Sequence, residues 1–267
     1  MRVIKGYFRD QLQLQMFMLE HEDVSEFYLS AFQRKRSALP LLILRTIICF
    51  GCIAILISSA VLSINFMPLP YWPIFLTHWG LVLNTIAAAF GVLVSSKAYF
   101  QGSIDSLYGL PCYVKMYWAM TNISTTIAFF ITVFYWSFLS MDVDEEYAAN
   151  RTLDIFIHAV NAILMFVLLT SARQPMRLLH VYQPISVAVI YLIFSVIYYY
   201  AGGTNPGTDG TYIYPPLDWS LPGLAMITVA LSLVLLIILH AISACLVIIR
   251  DKLSRYLFRD NEYTVYR

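Results

Sequence analysis

The stretch "PLLILRTIICFGCIAILISSAVL", residues 40–62, decides the fold, because it carries a single charge, Arg45, in an otherwise uncharged and largely apolar run. A helix needs about 20 such residues to cross the hydrocarbon core of a bilayer. Five more runs read the same way, over Tyr71–Val94, Tyr113–Leu139, Thr152–Ala172, Pro184–Tyr200 and Leu221–Ile249. Strand alternation is absent, and in lipid only helices or closed barrels satisfy the backbone. The reading is an all-α bundle of six transmembrane helices.

Composition agrees. The 267 residues are 60% hydrophobic and 12% charged, about half the charge of a soluble domain, and mean hydropathy is +0.69. A net charge of +1 offers no basic stripe for nucleic acid. Cys49 and Cys52 lie in an apolar run with no second pair, which reads as small core residues and not as a zinc site. Cys112, beside an expected cytosolic loop, is a weak palmitoylation candidate. The first forty residues hold no apolar segment, so the first span is expected to target the chain and remain in it.

Orientation follows from the basic residues. The first tail carries Arg2, Lys5, Arg9, Arg34, Lys35 and Arg36, the second loop Lys97 and Lys115, and the fourth Arg173 and Arg177. The last tail holds Arg250, Lys252, Arg255, Arg259 and Arg267, leaving only Arg45 and Arg151 of the seventeen Lys and Arg elsewhere. The positive-inside rule puts both termini in the cytosol. The chain thus divides into a tail at 1–39, a six-span domain at 40–249 and a tail at 250–267. The first tail reads as a basic flank with a short packed helix, or as an interfacial helix. The acidic third loop ends in Asn150-Arg151-Thr152, a glycosylation sequon on the outer side.

The second run, "YWPIFLTHWGLVLN" at 71–84, holds three polar side chains, Thr77, His78 and Asn84. At 1.5 Å per residue, Thr77 lies roughly 9 Å in from Tyr71, and His158 lies at similar depth on the fourth span. Thr77 and Asn84 are seven apart and His158 and Asn161 three apart, so each pair shares a helix face. One reading makes Thr77 a nucleophile with an imidazole as base. The other is hydrogen bonding between helices, at about 0.6–2 kcal/mol each, and composition and depth alone favour it. Of the remaining polar groups, Arg45 is expected to snorkel, His21 and His180 to be solvated, and His240 to lie too far from Thr77. Asp154 could orient His158 only if the chain bends, since four residues separate them, and it reads first as a helix cap or solvated anchor. No metal site or nucleotide loop is apparent, so no cofactor is expected.

The segments "LTHWGLVLN", "YVKMYWAMTNISTTIAFFITVFYWSFL", "IHAVNAILMFVLLTSARQP" and "IYLIFSVIYYYAGGTNPGTDGTYIYPPLDW" resemble the rolling stone family of insect membrane proteins. The likeness is specific around Thr77 and at Tyr214-Pro215. It implies a multi-pass plasma-membrane protein, in a family whose founding member is linked to myoblast fusion in muscle development. A more distant resemblance reaches the androgen-induced and androgen-dependent transmembrane hydrolases. These cleave fatty-acid esters of hydroxy fatty acids with a threonine in an FLT segment, here Phe75-Leu76-Thr77, and with the second histidine of His-x-x-His. Here that motif reads His158-Ala159-Val160-Asn161, so the expected base is replaced and only His158 can substitute.

Two expectations follow. The first is support of cell–cell or myoblast fusion without catalysis, through membrane lipids or a protein partner at the cell surface. The alternative is an intramembrane lipid-ester hydrolase with Thr77 as nucleophile, His158 as base, and Asn84, Asn161, His78 and Tyr214 around the pocket. The first ranks above the second on sequence alone.

Overall fold

The computed structural model describes residues 9, 11–65, 67–139, 151–207 and 210–258. Six helices are long and apolar enough to cross a membrane. They are α1 (Leu39–Ser63), α2 (Leu76–Phe100), α3 (Cys112–Phe134, extended by a π turn over Tyr135–Leu139), and α4 (Arg151–Ser171). α5 (Tyr182–Tyr200) follows a 3-10 turn at Leu178–Val181, and α6 (Pro222–Phe258) completes the set. Among the described residues the sole β pairing is an isolated bridge between Ser30 and Ala172. The start of α1 and the end of α6 lie at the same end of the bundle, where Ser254 Oγ donates to the Ala31 carbonyl and Arg34 lies over the Phe258 ring.

The solvent requirement is written around each helix. On α1, Ile43, Ile47, Phe50, Ile57 and Val61 are exposed while Leu41, Arg45, Ile48, Cys52 and Ile55 are buried, two faces at helical spacing. An apolar outer face with polar groups inside suits a lipid surround. Apolar burial gives little drive between helices in lipid, so close packing and hydrogen bonds must hold them. α2 supplies that packing with Gly80, Ala87, Ala88, Gly91 and Ser95 on its buried face, and it makes its main contacts with α1 and α3. A Cβ at Gly80 would lie 2.5 Å from Ile131, and one at Gly91 would lie 3.1 Å from the Tyr117 ring.

Several expectations change. The second helix begins at Leu76, not Tyr71, because Leu69–Ile74 forms a 3-10 turn around Pro73, and proline fits poorly inside a helix. Thr77 therefore sits in the first turn of α2 and not one and a half turns along it. Arg45 does not snorkel. It is fully buried, donating from Nη1 to the Gly91 carbonyl (3.1 Å) and Ser95 Oγ (2.6 Å), and from Nη2 to the Tyr117 hydroxyl (2.5 Å). Acceptors from two neighbouring helices replace the headgroups it would otherwise seek. His180 is fully buried as well, beside Asn122 Nδ2 at 3.0 Å and edge-on to Trp118. His21 is half-buried, with Nε2 2.7 Å from Glu26.

The end where α1 begins and α6 finishes is closed by the segment before α1. Val24 and Phe27, in a 3-10 turn, join Val94, Val114, Tyr117 and Trp118 in one cluster. The sixth helix is 37 residues long, roughly 55 Å at 1.5 Å per residue, and continues to Phe258. Near that end Arg250 takes the carbonyls of Leu169 (3.1 Å), Gln174 (3.2 Å) and Arg173 (3.0 Å). Of these, the Leu169 carbonyl is one that the last turn of α4 leaves without a helical partner.

Candidate functional site

At the opposite end of the bundle two π turns bring α3 and α4 together. One spans Tyr135–Leu139 and the other Phe156–Val160. A π turn displaces the ladder by one residue and leaves a carbonyl needing another donor. Thr132 Oγ1 of α3 donates to the His158 carbonyl and fills that role. The His158 ring stacks on Tyr135, with centroids 3.5 Å apart and planes at 3°.

The result is a chain of three groups. Thr77 Oγ1 lies 3.3 Å from His158 Nε2. His158 Nδ1 lies 2.9 Å from Asp154 Oδ1, and the Tyr135 hydroxyl donates to Asp154 Oδ2 at 2.5 Å. A carboxylate accepting from Nδ1–H leaves the lone pair on Nε2, facing the threonine hydroxyl. Asp154 is therefore not the cap or solvated anchor expected from sequence. It lies one turn before His158 and reaches the ring from the same helix face.

The other sequence candidates divide. The side-chain amides of Asn84 and Asn161 meet at 2.8 Å, both buried, about two turns further along α2 than Thr77. Asn161 thus faces Asn84 and not Thr77, and His158 is the side chain beside Thr77. His78 turns away. Its Nδ1 bonds the Trp72 carbonyl, and its ring stacks on Trp72 at 4.3 Å, tying the 3-10 turn to α2. Tyr214 reaches back from the last loop, and its hydroxyl accepts from the Leu76 N–H at 3.0 Å. Asn150 lies outside the described residues. Tyr135, Tyr191 and Thr132 had no motif to betray them; the one available hint was their position near the same end of the bundle.

Thr77 also borders a cavity of about 280 Å³ between α3, α5 and α6, near the lower end of the range for small-molecule pockets, about 300–1,000 Å³. Its polar side chains, Thr77, Tyr135, Tyr191 and Tyr214 with Thr228 and Ser232, stand among Phe, Leu, Ile and Val, and no charged side chain lines it. α5 and α6 pack on α3 more than on each other. The lining residues Val189 and Leu233 are 46% and 42% exposed, so the cavity opens sideways between α5 and α6.

Two comparisons within the molecule sharpen the assignment. A groove of about 380 Å³ between α1 and α4 has only Ser58 and Thr152 as polar lining, and among the described residues no histidine or carboxylate lines it. A second Thr–His pair exists, with Thr126 Oγ1 3.1 Å from His240 Nδ1, and His240 Nε2 donates to the Arg177 carbonyl at 3.0 Å. Thr126 is fully buried and borders neither cavity, and no carboxylate backs its histidine. Among the described residues no group of three or more His, Cys, Asp or Glu could hold a metal ion.

A family model described as Protein rolling stone matches residues 3–263. Protein rolling stone of Drosophila melanogaster is 27% identical over 233 residues, covering 83% of this chain and 82% of that protein. No solved structure matches.

Proposed function

The chain belongs to the rolling stone family, and on that footing we propose that it is a membrane-embedded hydrolase of neutral lipid esters. One observation carries the reading: the Thr77–His158–Asp154 chain stands at the wall of an apolar cavity open toward lipid. That arrangement supports placing catalysis ahead of fusion support, the opposite of the order expected from sequence alone.

The arrangement supports acyl transfer. Thr77 Oγ attacks the ester carbonyl carbon as its proton passes to His158 Nε2, and the carbonyl electron pair moves onto oxygen. Collapse of that tetrahedral species breaks the bond to the alcohol oxygen, which leaves with the proton from His158. Water then attacks the acyl-threonine, giving its proton to the same nitrogen. The acid departs, and Thr77 recovers its proton. Asp154 holds the ring and offsets the imidazolium charge formed in each half. The acyl chain lies in the cavity, where the lack of charged lining favours an uncharged tail.

Basic side chains gathered at the end bearing the termini, including Arg34, Lys97, Arg173 and Lys252, support a cytosolic placement of that end. The site then opens near the outer leaflet of the plasma membrane. Support of myoblast or cell–cell fusion, which the family resemblance implies, is compatible with this chemistry, since cleaving a lipid ester alters the leaflet in which it occurs.

The test uses the full chain in lipid nanodiscs, a fluorogenic long-chain acyl ester and a fluorophosphonate label. Turnover and labelling are expected, and Thr77→Ala should abolish both while the protein remains folded. Turnover that persists unchanged in Thr77→Ala would sink the proposal.

A further inference from the structure

Acyl transfer needs donors aimed at the oxygen that becomes negative, and these commonly supply the largest electrostatic contribution. Neither His158 nor Asp154 can act there: His158 is engaged in proton transfer, and Asp154 accepts from the imidazole and has no proton to donate. The donors must therefore come from the groups that meet Thr77 from the cavity side.

Tyr214 is the side chain so placed. Its hydroxyl accepts from the Leu76 N–H at 3.0 Å and interacts with the hydroxyl and amide of Thr77. With one lone pair taken by Leu76, the phenol proton is left to donate. Its other neighbour, Tyr191, directs its own proton to the Ile74 carbonyl at 2.8 Å, so at rest the Tyr191 oxygen can accept the Tyr214 proton, which turns to the substrate oxygen as charge develops there. Both tyrosines line the cavity together with Thr77. The amide of Thr77 lies in the first turn of α2, where N–H groups lack helical partners. A carbonyl carbon bonded to Thr77 Oγ carries its oxygen one bond further out, within reach of the same two donors.

We propose that the Tyr214 hydroxyl, with the Thr77 N–H, forms the oxyanion hole of this site, so that Tyr214 is a catalytic residue brought in by the last loop. Burial raises the Tyr214 phenol above its ordinary value of 10, which keeps the donor protonated over the working pH range. Loop folding and catalytic competence are thereby linked: when the loop bearing Tyr214 leaves, one oxyanion donor leaves with it. The inference rests on the hydrolase reading, and its test separates the two.

Tyr214→Phe is compared with wild type in nanodiscs by three measurements. These are turnover of the fluorogenic ester, inhibition by a long-chain trifluoromethyl ketone, and binding of the matching acyl ether. The ketone forms a tetrahedral adduct bearing an oxyanion, whereas the ether fills the cavity without one. Loss of one oxyanion donor costs roughly 10²–10³-fold in kcat, so that loss is expected with KM nearly constant. The ketone should weaken by a similar factor and the ether by less than about threefold, as differential transition-state binding requires. Equal weakening of ketone and ether, or no effect on either, would overturn the role of Tyr214 while leaving the hydrolase reading intact. Absence of turnover in wild type, with no Thr77-dependent labelling, would overturn both.

Discussion

Asparagine at position 154 isolates the charge of the third group in the chain. Asp154 accepts from His158 Nδ1 at 2.9 Å and from the Tyr135 hydroxyl at 2.5 Å. In Asp154→Asn the amide oxygen can still face His158 if the amide NH2 turns to the tyrosine oxygen, which can accept. Geometry and tautomer then survive, and what disappears is the negative charge opposite the imidazolium formed during attack. With charge centres about 4 Å apart and an effective dielectric of about 20, that attraction is about 4 kcal/mol. The carboxylate is 31% exposed, so water screens part of it and about 3 kcal/mol remains. The expected loss is on the order of 10²-fold in kcat, rising toward 10⁴-fold if the amide settles in the other orientation and selects the wrong tautomer. KM should change little, since the carboxylate does not line the cavity. The assay is turnover of the long-chain ester in nanodiscs under saturating substrate, with circular dichroism as the check on folding. A variant that folds and turns over within threefold of wild type would refute the reasoning, because Asp154 would then carry no part of the transition-state charge.

Three further outcomes are expected. Ala188→Trp, which fills the cavity between α3, α5 and α6, should abolish cleavage of a long-chain ester while an acetyl ester is cleaved within about threefold of wild type. Thr126→Val removes the hydroxyl from the enclosed second pair; turnover should hold, with a stability loss of about 1 kcal/mol by unfolding in mixed micelles. In a double-mutant cycle, Asn84→Ala and Asn161→Ala should show a coupling of about 0.6–1.7 kcal/mol in the same unfolding measurement, and independent effects would place the two amides apart.

The six helices were legible because a bilayer imposes length and apolarity on every crossing, so runs such as residues 40–62 announce themselves. The matched depth of Thr77 and His158 was legible too, although the helix start was set back by Pro73. The role of Asp154 was not. Nothing in "RTLDIFIHAV" marks the π turn at Phe156–Val160, and without its neighbours a carboxylate in the first turn of a helix reads as a cap. Arg45 and His180 were misread for a different reason. Local sequence places each near a basic end, but their partners Gly91, Ser95, Tyr117 and Asn122 lie 46 to 72 positions away. Burial of a charge or imidazole is decided by such distant acceptors, which no window along the chain contains.

The Arg250 clasp has a mechanical meaning. It binds α6 to the carbonyl end of α4 through Leu169, Arg173 and Gln174, at the end of the bundle away from the cavity. A helix anchored there, and packed less on α5 than on α3, is expected to act as one arm of a pair of tweezers, pivoting near Arg250 with its tips at the cavity mouth. Spin labels on α5 and α6 should then report a broad distance distribution beside Val189 and Leu233 and a narrow one near Arg250. Cutting the clasp with Arg250→Leu should broaden the narrow end, converting a pivot into a sliding joint.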